Sequence, residues 1–202
     1  MQTIDTLLNE TAAILRQFAK PLAVSEAEVS SIRHVRNVPP ARYPVVDAIA
    51  SVETNHQTAD FCHALQAAAD KLHWRQTYRE EDGFDRDYLD SYAWCDIAGP
   101  EGPADADGIR VMVGYWGQGL VYPDHAHPPD ERYLVLGGSA AFRRESEPYQ
   151  VLGPGEVFHV PSGTIHSADM RNEALLALAV WRHEDLRVRI DLTDRGRTVE
   201  RT

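Results

Sequence analysis

From Asp90 onward the chain is cut into short pieces. "DSYAWCDI", "GIRVMVGYW", "ERYLVLGG", "SAAFRR", "EVFHVP" and "ALLALAVWR" are apolar or alternating runs fenced by Gly, Pro or Asp. Each run is too short for a helix of ordinary length, and the fences recur too often for helices to form between them. Such a pattern predicts many short antiparallel strands closed as a barrel or double sheet. "GPEGPADADG", residues 99–108, reads as a polar loop, and the alternation in "DLRVRIDL" near the C-terminus reads as a final strand.

The first 75 residues have another texture. Ile4, Leu7, Leu8, Leu15 and Phe18 fall at helical spacing, with Pro21 marking the end. A second helix is predicted after Ser25, and Pro39, Pro40 and Pro44 interrupt the chain beyond it. Phe61, Leu65, Ala68 and Leu72 make a further stripe, with Thr58 or Asp60 as its cap. The reading is therefore a helical extension over 1–75 packed on a β-barrel domain over 76–202.

Charge narrows the partners. The chain carries 20 Lys and Arg against 31 Asp and Glu, a formal charge of −11. Nucleic acid and anionic membranes repel such a surface. The helical head holds seven basic and eight acidic residues, so it has no basic face for phosphates. No apolar run reaches the roughly 18 residues of a membrane span, and residues 1–20 have no signal-peptide core. Cys62 and Cys95 are too few for a disulfide framework. They read as free thiols in a reducing compartment, with a single bridge as the alternative. These features point to a cytoplasmic protein with a small-molecule partner. The oligomeric state stays open, a homo-oligomer included.

"GLVYPDHAHPPDERYLVLGG", residues 119–138, concentrates the chemistry. Side chains alternate along a strand, so His125 and His127 share one face. Glu131 and Tyr133 form a second such pair after the turn at "PPD", which reverses the chain. Imidazole nitrogens and a carboxylate aimed at one point suit a divalent transition metal. A further ligand must come from far away in sequence, and "GEVFHVPSGTIH" offers His166 on a strand facing the first pair. His159, before the Pro161 turn, is the competing residue and reads as structural or surface-exposed.

The spacing carries a resemblance. Gly119, five residues, His125, one, His127, three, Glu131, six, Gly138 resembles the first motif of the cupin superfamily. Gly155, five, Pro161, one, Gly163, two, His166 resembles the second, with Met170 where cupins place a structural Asn. The resemblance implies a mostly β fold, a double-stranded β-helix (jelly-roll) barrel with an N-terminal α-helical extension. It also implies one divalent transition metal ion (zinc, manganese, iron, cobalt or nickel) on His125, His127, Glu131 and His166. "YPDHAHPPDERYLVLGG", with Tyr133 two residues after the Glu, and the helical head resemble bacterial cupin-type dimethylsulfoniopropionate lyases of the DddQ kind. That family cleaves dimethylsulfoniopropionate to dimethyl sulfide and acrylate by metal-assisted β-elimination.

The implied substrate is a zwitterion with a carboxylate and a sulfonium. The sulfonium is already a good leaving group, so the chemistry turns on a weakly acidic α-proton. Tyr133 is the expected base, since a nearby cation favours the phenolate. Tyr122, three residues before His125, is expected to orient the substrate carboxylate or to share the base role. Leu175, Ala177, Ala179 and Trp181 fall on one strand face, so Trp181 is expected to meet the sulfonium through its π-cloud. Trp116, Tyr115 and Phe158 are weaker candidates. The alternatives are a cupin dioxygenase, a non-catalytic cupin that binds a small acid, and a sugar isomerase. The isomerase would need many basic residues lining the barrel, and the strands show few.

Overall fold

The computed structural model describes residues 2–188 and the strand backbones Asp191–Asp194 and Arg197–Thr198. Five helices precede or enter the barrel: α1 Gln2–Gln17, α2 Ala19–Leu22, α3 Glu26–Ser30, α4 Ala59–Ala68 and α5 Arg86–Leu89. The strands are β1 Arg33–His34, β2 Tyr92–Ala98, β3 Ala104–Asp105, β4 Arg110–Trp116, β5 Val121–Ala126, β6 Asp130–Gly138 and β7 Ala140–Arg144. They continue with β8 Gln150–Leu152, β9 Val157–Val160, β10 His166–Asp169, β11 Leu175–Arg182, β12 Asp191–Asp194 and β13 Arg197–Thr198. One sheet runs β1-β3-β2-β4-β11-β6-β9 and the other β13-β12-β5-β10-β7-β8. From β4 to β12 the chain changes sheet at every step except β7 to β8, as in the jelly roll that the spaced motifs imply.

All six quoted runs form strands. The expected loop at 99–108 contains β3, because Ala104 pairs with both Ala98 and His34. Of the expected strand, residues 185–188 are not strand, residues 189–190 lie outside the described residues, and Asp191 and Leu192 belong to β12, with β13 after it. Pro21 does not end α1. The chain breaks at Phe18, makes one more helical turn that contains Pro21, and stops at Ala23 with φ +52°.

Alternation sorts the strands into two cores. Val111, Val113, Leu134, Leu136, Leu176, Leu178 and Val180 face the helical layer, where Leu7, Leu15, Phe61, Leu65 and Ala68 pack on them. Met112, Trp116, Tyr133, Val135, Leu175, Ala177, Ala179 and Trp181 face the barrel interior. Strands covered on both sides need apolar residues on both sides, which explains the near-continuous apolar run of β11. Interior crowding also fixes a glycine. A Cβ on Gly114 would lie 2.4 Å from the Trp116 ring, which lies over that backbone.

Polar anchors join the helices to the sheet. Leu136 is the extra residue at a β-bulge in the β6–β11 ladder. The buried Thr58 hydroxyl donates to its carbonyl at 2.6 Å, so Thr58 holds α4 to the sheet instead of capping it. Ser25 and Glu28 form a capping box on α3. Glu28 also pairs with Arg182 at the end of β11. The hydrogen bonds from Arg182 hold the Glu28 carboxyl at about 2, against 4.5 for the free group.

The depressed value sets the sign of a pH effect. The ionised form is favoured by folding, so the contribution is complete above pH 4.5 and disappears as pH falls through about 2. We expect the stability difference between wild type and Glu28→Gln, read from urea midpoints, to be greatest near neutrality. It should shrink steadily below pH 4.5. A difference independent of pH would refute the pairing.

Candidate active site

β5 and β10 are antiparallel neighbours, with His125 opposite His166. His166 therefore lies beside the first pair in the same sheet rather than facing it. The "PPD" segment does not make a hairpin either. It carries the chain from β5 across to β6 in the opposite sheet, so Glu131 and Tyr133 approach the histidines from the other wall. Gly163, at φ +70°, turns the β9–β10 connection, and its N–H donates to the His127 carbonyl at 2.9 Å.

His125, His127, His166 and Glu131 are all at least 97% buried. Each imidazole bonds through Nδ1 to a backbone carbonyl two residues away. His125 reaches Pro123 at 2.8 Å, His127 reaches Pro129 at 3.0 Å and His166 reaches Thr164 at 3.0 Å. A carbonyl only accepts, so the proton sits on Nδ1 and a lone pair remains on Nε2. His125 Nε2 and His166 Nε2 are buried with no hydrogen-bond partner. Burial, aided by the neighbouring imidazoles, holds His125 well below the ordinary histidine pKa, so the ring is neutral.

Glu131 completes the group. Burial raises its carboxyl pKa, but His127 and His166 outweigh that effect and keep it ionised. Its Oε2 lies 2.9 Å from His127 Nε2 and 3.3 Å from His166 Nε2. Two ring nitrogens this close to a carboxylate oxygen require positive charge among them, from a proton on an imidazole or from a cation on the nitrogens. Three imidazole ligand atoms within 4.8 Å of one another form a group able to hold a metal ion. The donor set fits a divalent transition metal. Trp181 Nε1 donates to Glu131 Oε1 at 2.5 Å, fixing the carboxylate from its other side.

A cavity of about 610 Å³ opens onto this group, lined by Glu131, Tyr133, Tyr122, Trp181, Trp116 and Arg110 among others. That volume is in the range of small-molecule sites. The Tyr133 phenol is raised well above its usual pKa by burial and by the Glu131 charge. Tyr122 is raised chiefly by burial. Period-two alternation would turn Tyr122 away from His125. The ladder to β10 shows why it does not: Ala168 pairs with Tyr122 and His166 with His125, so β5 carries one extra residue. That bulge puts both side chains inside, with ring centroids 5.0 Å apart.

The remaining sequence candidates separate clearly. The Trp181 ring lines the cavity with His127 at 4.5 Å and the Arg110 guanidinium at 5.4 Å from its centroid. Trp116 lines the cavity as well. Tyr115 faces the helical layer, and Phe158 stacks on Phe142 in the barrel core. His159 bonds Asp130 at 2.6 Å, outside the metal group. Met170, in place of the motif Asn, is fully buried. Its backbone holds the turn by pairing with Gly119 and Leu120.

Other cavity residues gave no sequence signal. Arg75, Arg79, Arg110 and Arg187 line it, so its wall is more basic than the strands alone suggested. The three besides Arg110 lie outside the strands. Thr77, Tyr78, Phe84 and Tyr88 come from the segment before β2 and pack over Tyr122 and Tyr92.

A family model for dimethylsulfoniopropionate lyases matches residues 16–177. The chain belongs to the dimethylsulfoniopropionate lyase family. The lyase DddQ of Ruegeria pomeroyi strain DSS-3 is 38% identical over 120 residues, which cover 59% of this chain and 59% of that protein. That match thus spans little more than half the length of the curated relative. The crystal structure of DMSP lyase DddQ from the same organism superposes with a TM-score of 0.86 at 31% identity, covering 95% of this chain and 96% of that one. A structure described with the DMSP lyases RdDddP and RnDddQII superposes with a TM-score of 0.85 at 29% identity, covering 96% and 98%. Family membership agrees with the cupin spacing and the helical head.

Arg110 gives a test of how the lyase-family cavity is built. Arg110 is 4% exposed and Asp96 2%, and the guanidinium donates to Asp96 Oδ1 at 2.8 Å. Removing one partner of such a pair strands a buried charge, which costs about 3–5 kcal/mol. Asp96→Ala should lower unfolding free energy by about that amount in urea titrations. A loss well under about 1 kcal/mol would show that the pair is solvated.

Proposed function

We propose that the protein cleaves dimethylsulfoniopropionate to dimethyl sulfide and acrylate. The observation that carries this reading is that Tyr133 lines the cavity beside Glu131, with its ring centroid 6.4 Å from that of His166 in a buried triad, two of whose Nε2 atoms, on His125 and His166, have no partner and call for a cation. Family membership supports the same substrate. His125, His127, His166 and Glu131 would hold one divalent metal ion, zinc, manganese, iron, cobalt or nickel. Bound there, the ion supplies positive charge that polarises the substrate carboxylate and favours the Tyr133 phenolate.

Tyr133 takes the α-proton. The C–H electron pair becomes the Cα–Cβ double bond, and the Cβ–S bond breaks with its electrons leaving on sulfur. Dimethyl sulfide departs neutral, acrylate keeps the carboxylate, and Tyr133 holds the proton until solvent accepts it. Tyr122 places the substrate at the wall beside His125. Trp181 holds Glu131 in place and, with Trp116, offers aromatic surface to the sulfonium. Cys62 and Cys95 are buried free thiols, in keeping with a cytoplasmic location. Among the described residues no helix is long and apolar enough to cross a membrane.

Headspace gas chromatography of metal-loaded protein with dimethylsulfoniopropionate tests the reaction. No dimethyl sulfide with any of the five metals, together with oxygen uptake on an electrode, would favour the dioxygenase alternative. Ala at His125, His127, Glu131 or His166 should lower metal content and activity together. Full occupancy in all four variants would refute the ligand set. Tyr133→Phe should keep its metal and lose about 10²–10⁴-fold in turnover. Deuterium exchange at the substrate α-carbon should stop with it. Near wild-type turnover would place the base elsewhere.

A further inference from the structure

Thr77 lies on the connection from α4 to α5, outside the metal group, and lines the cavity. Its Oγ1 accepts from two donors. Tyr122 Oη donates from β5 at 3.0 Å, and Trp94 Nε1 donates from β2 at 3.0 Å. An indole N–H can only donate, so one lone pair of the hydroxyl is committed to Trp94. β2 and β5 belong to opposite sheets. A single hydroxyl therefore ties both walls of the barrel together at the cavity.

The backbone around Thr77 is held from several directions. Arg75 and Trp94 exchange both backbone hydrogen bonds, at 2.8 and 2.9 Å. The N–H groups of Thr77 and Tyr78 both donate to Tyr92 Oη, at 3.0 and 2.8 Å. Gln76 Nε2 donates to the Tyr92 carbonyl at 3.0 Å. With the main chain fixed in this way, the hydroxyl has a set place, and it dictates where the Tyr122 proton points. The Tyr122 O–H turns toward Thr77, and its oxygen also lies beside the Tyr78 hydroxyl.

We infer that Thr77 is a positioning residue for the lyase reaction, acting through Tyr122 by fixing the direction of its O–H. The inference rests on the lyase reading above. Thr77→Val keeps the shape and removes the acceptor, leaving the Trp94 indole unpaired and the buried Tyr122 phenol with the Tyr78 hydroxyl beside it. Thr77→Ser keeps the acceptor.

The test is a double-mutant cycle on metal-loaded protein: wild type, Thr77→Val, Tyr122→Phe and the double variant, with Thr77→Ser as rescue. Thr77→Val should lower kcat/KM by about 5- to 100-fold, the usual effect of leaving a buried donor unmatched. Its division between kcat and KM should match that of Tyr122→Phe. In the Tyr122→Phe background the same change should cost less than about twofold. Thr77→Ser should restore activity, and metal content should stay constant throughout. The Trp94 indole N–H resonance should move in Thr77→Val and not in Thr77→Ser, which confirms folding and the lost bond together. Full additivity, failure of Ser to rescue, or wild-type kcat/KM in Thr77→Val would overturn the inference. If wild type releases no dimethyl sulfide, the lyase reading fails by itself. The same cycle is then read by calorimetric titration with dimethylsulfoniopropionate, which needs no turnover. Additive affinities, or no binding to wild type, would overturn the role of Thr77 there.

Discussion

The seven-stranded sheet is apolar on both faces, and the rest of the structure follows from that condition. A sheet wet on one side could spend its outer residues on solubility. Here the helical layer covers that side, with Leu7, Leu15, Phe61 and Leu65 against Val113, Leu134 and Leu178. Dry strands tolerate few polar groups, and the charged ones buried at the cavity are held by partners. Glu131 bonds Trp181 and faces His127, and Arg110 bonds Asp96. The polar interior is a small island on an apolar scaffold, which is why its charges act strongly on each other.

The island is tuned by backbone rather than by side-chain acids. Three carbonyls take the three Nδ1 protons, so all the imidazoles present the same nitrogen inward. Two of those carbonyls belong to Pro123 and Pro129. Proline restricts the local chain and so limits the freedom of the ring bonded to it. Ligand geometry of this kind does not depend on protonation of a second carboxylate. The acid of the metal group, Glu131, is left for the cavity side.

Much of this was legible in the sequence, for local reasons. Helical stripes and strand alternation are short-range patterns, so the two cores and the inward face of Leu175, Ala177, Ala179 and Trp181 could be read directly. The histidine and glutamate spacing was legible because the motif lies within a few strands. Features that depend on register were not. Nothing in "VYPDHA" announces the bulge that brings Tyr122 to the side of His125. Strand swapping between sheets turned the expected hairpin at "PPD" into a crossover. Thr77 and the cavity arginines other than Arg110 sit on connections whose paths are set by tertiary contacts. Where cupins place a structural Asn, Met170 pairs through its backbone with Gly119 and Leu120, bonds that do not depend on the side chain and so cannot be read from the residue type.

The indole of Trp116 lies where the side chain of residue 114 would otherwise be. The floor of the cavity is thus set by the absence of a side chain. Any larger residue at 114 would push the indole inward or turn it aside, changing the room for a guest and the edge contact of the indole with Tyr133. Position 114 therefore sets the volume of the cavity through Trp116 alone, without a side chain of its own entering it.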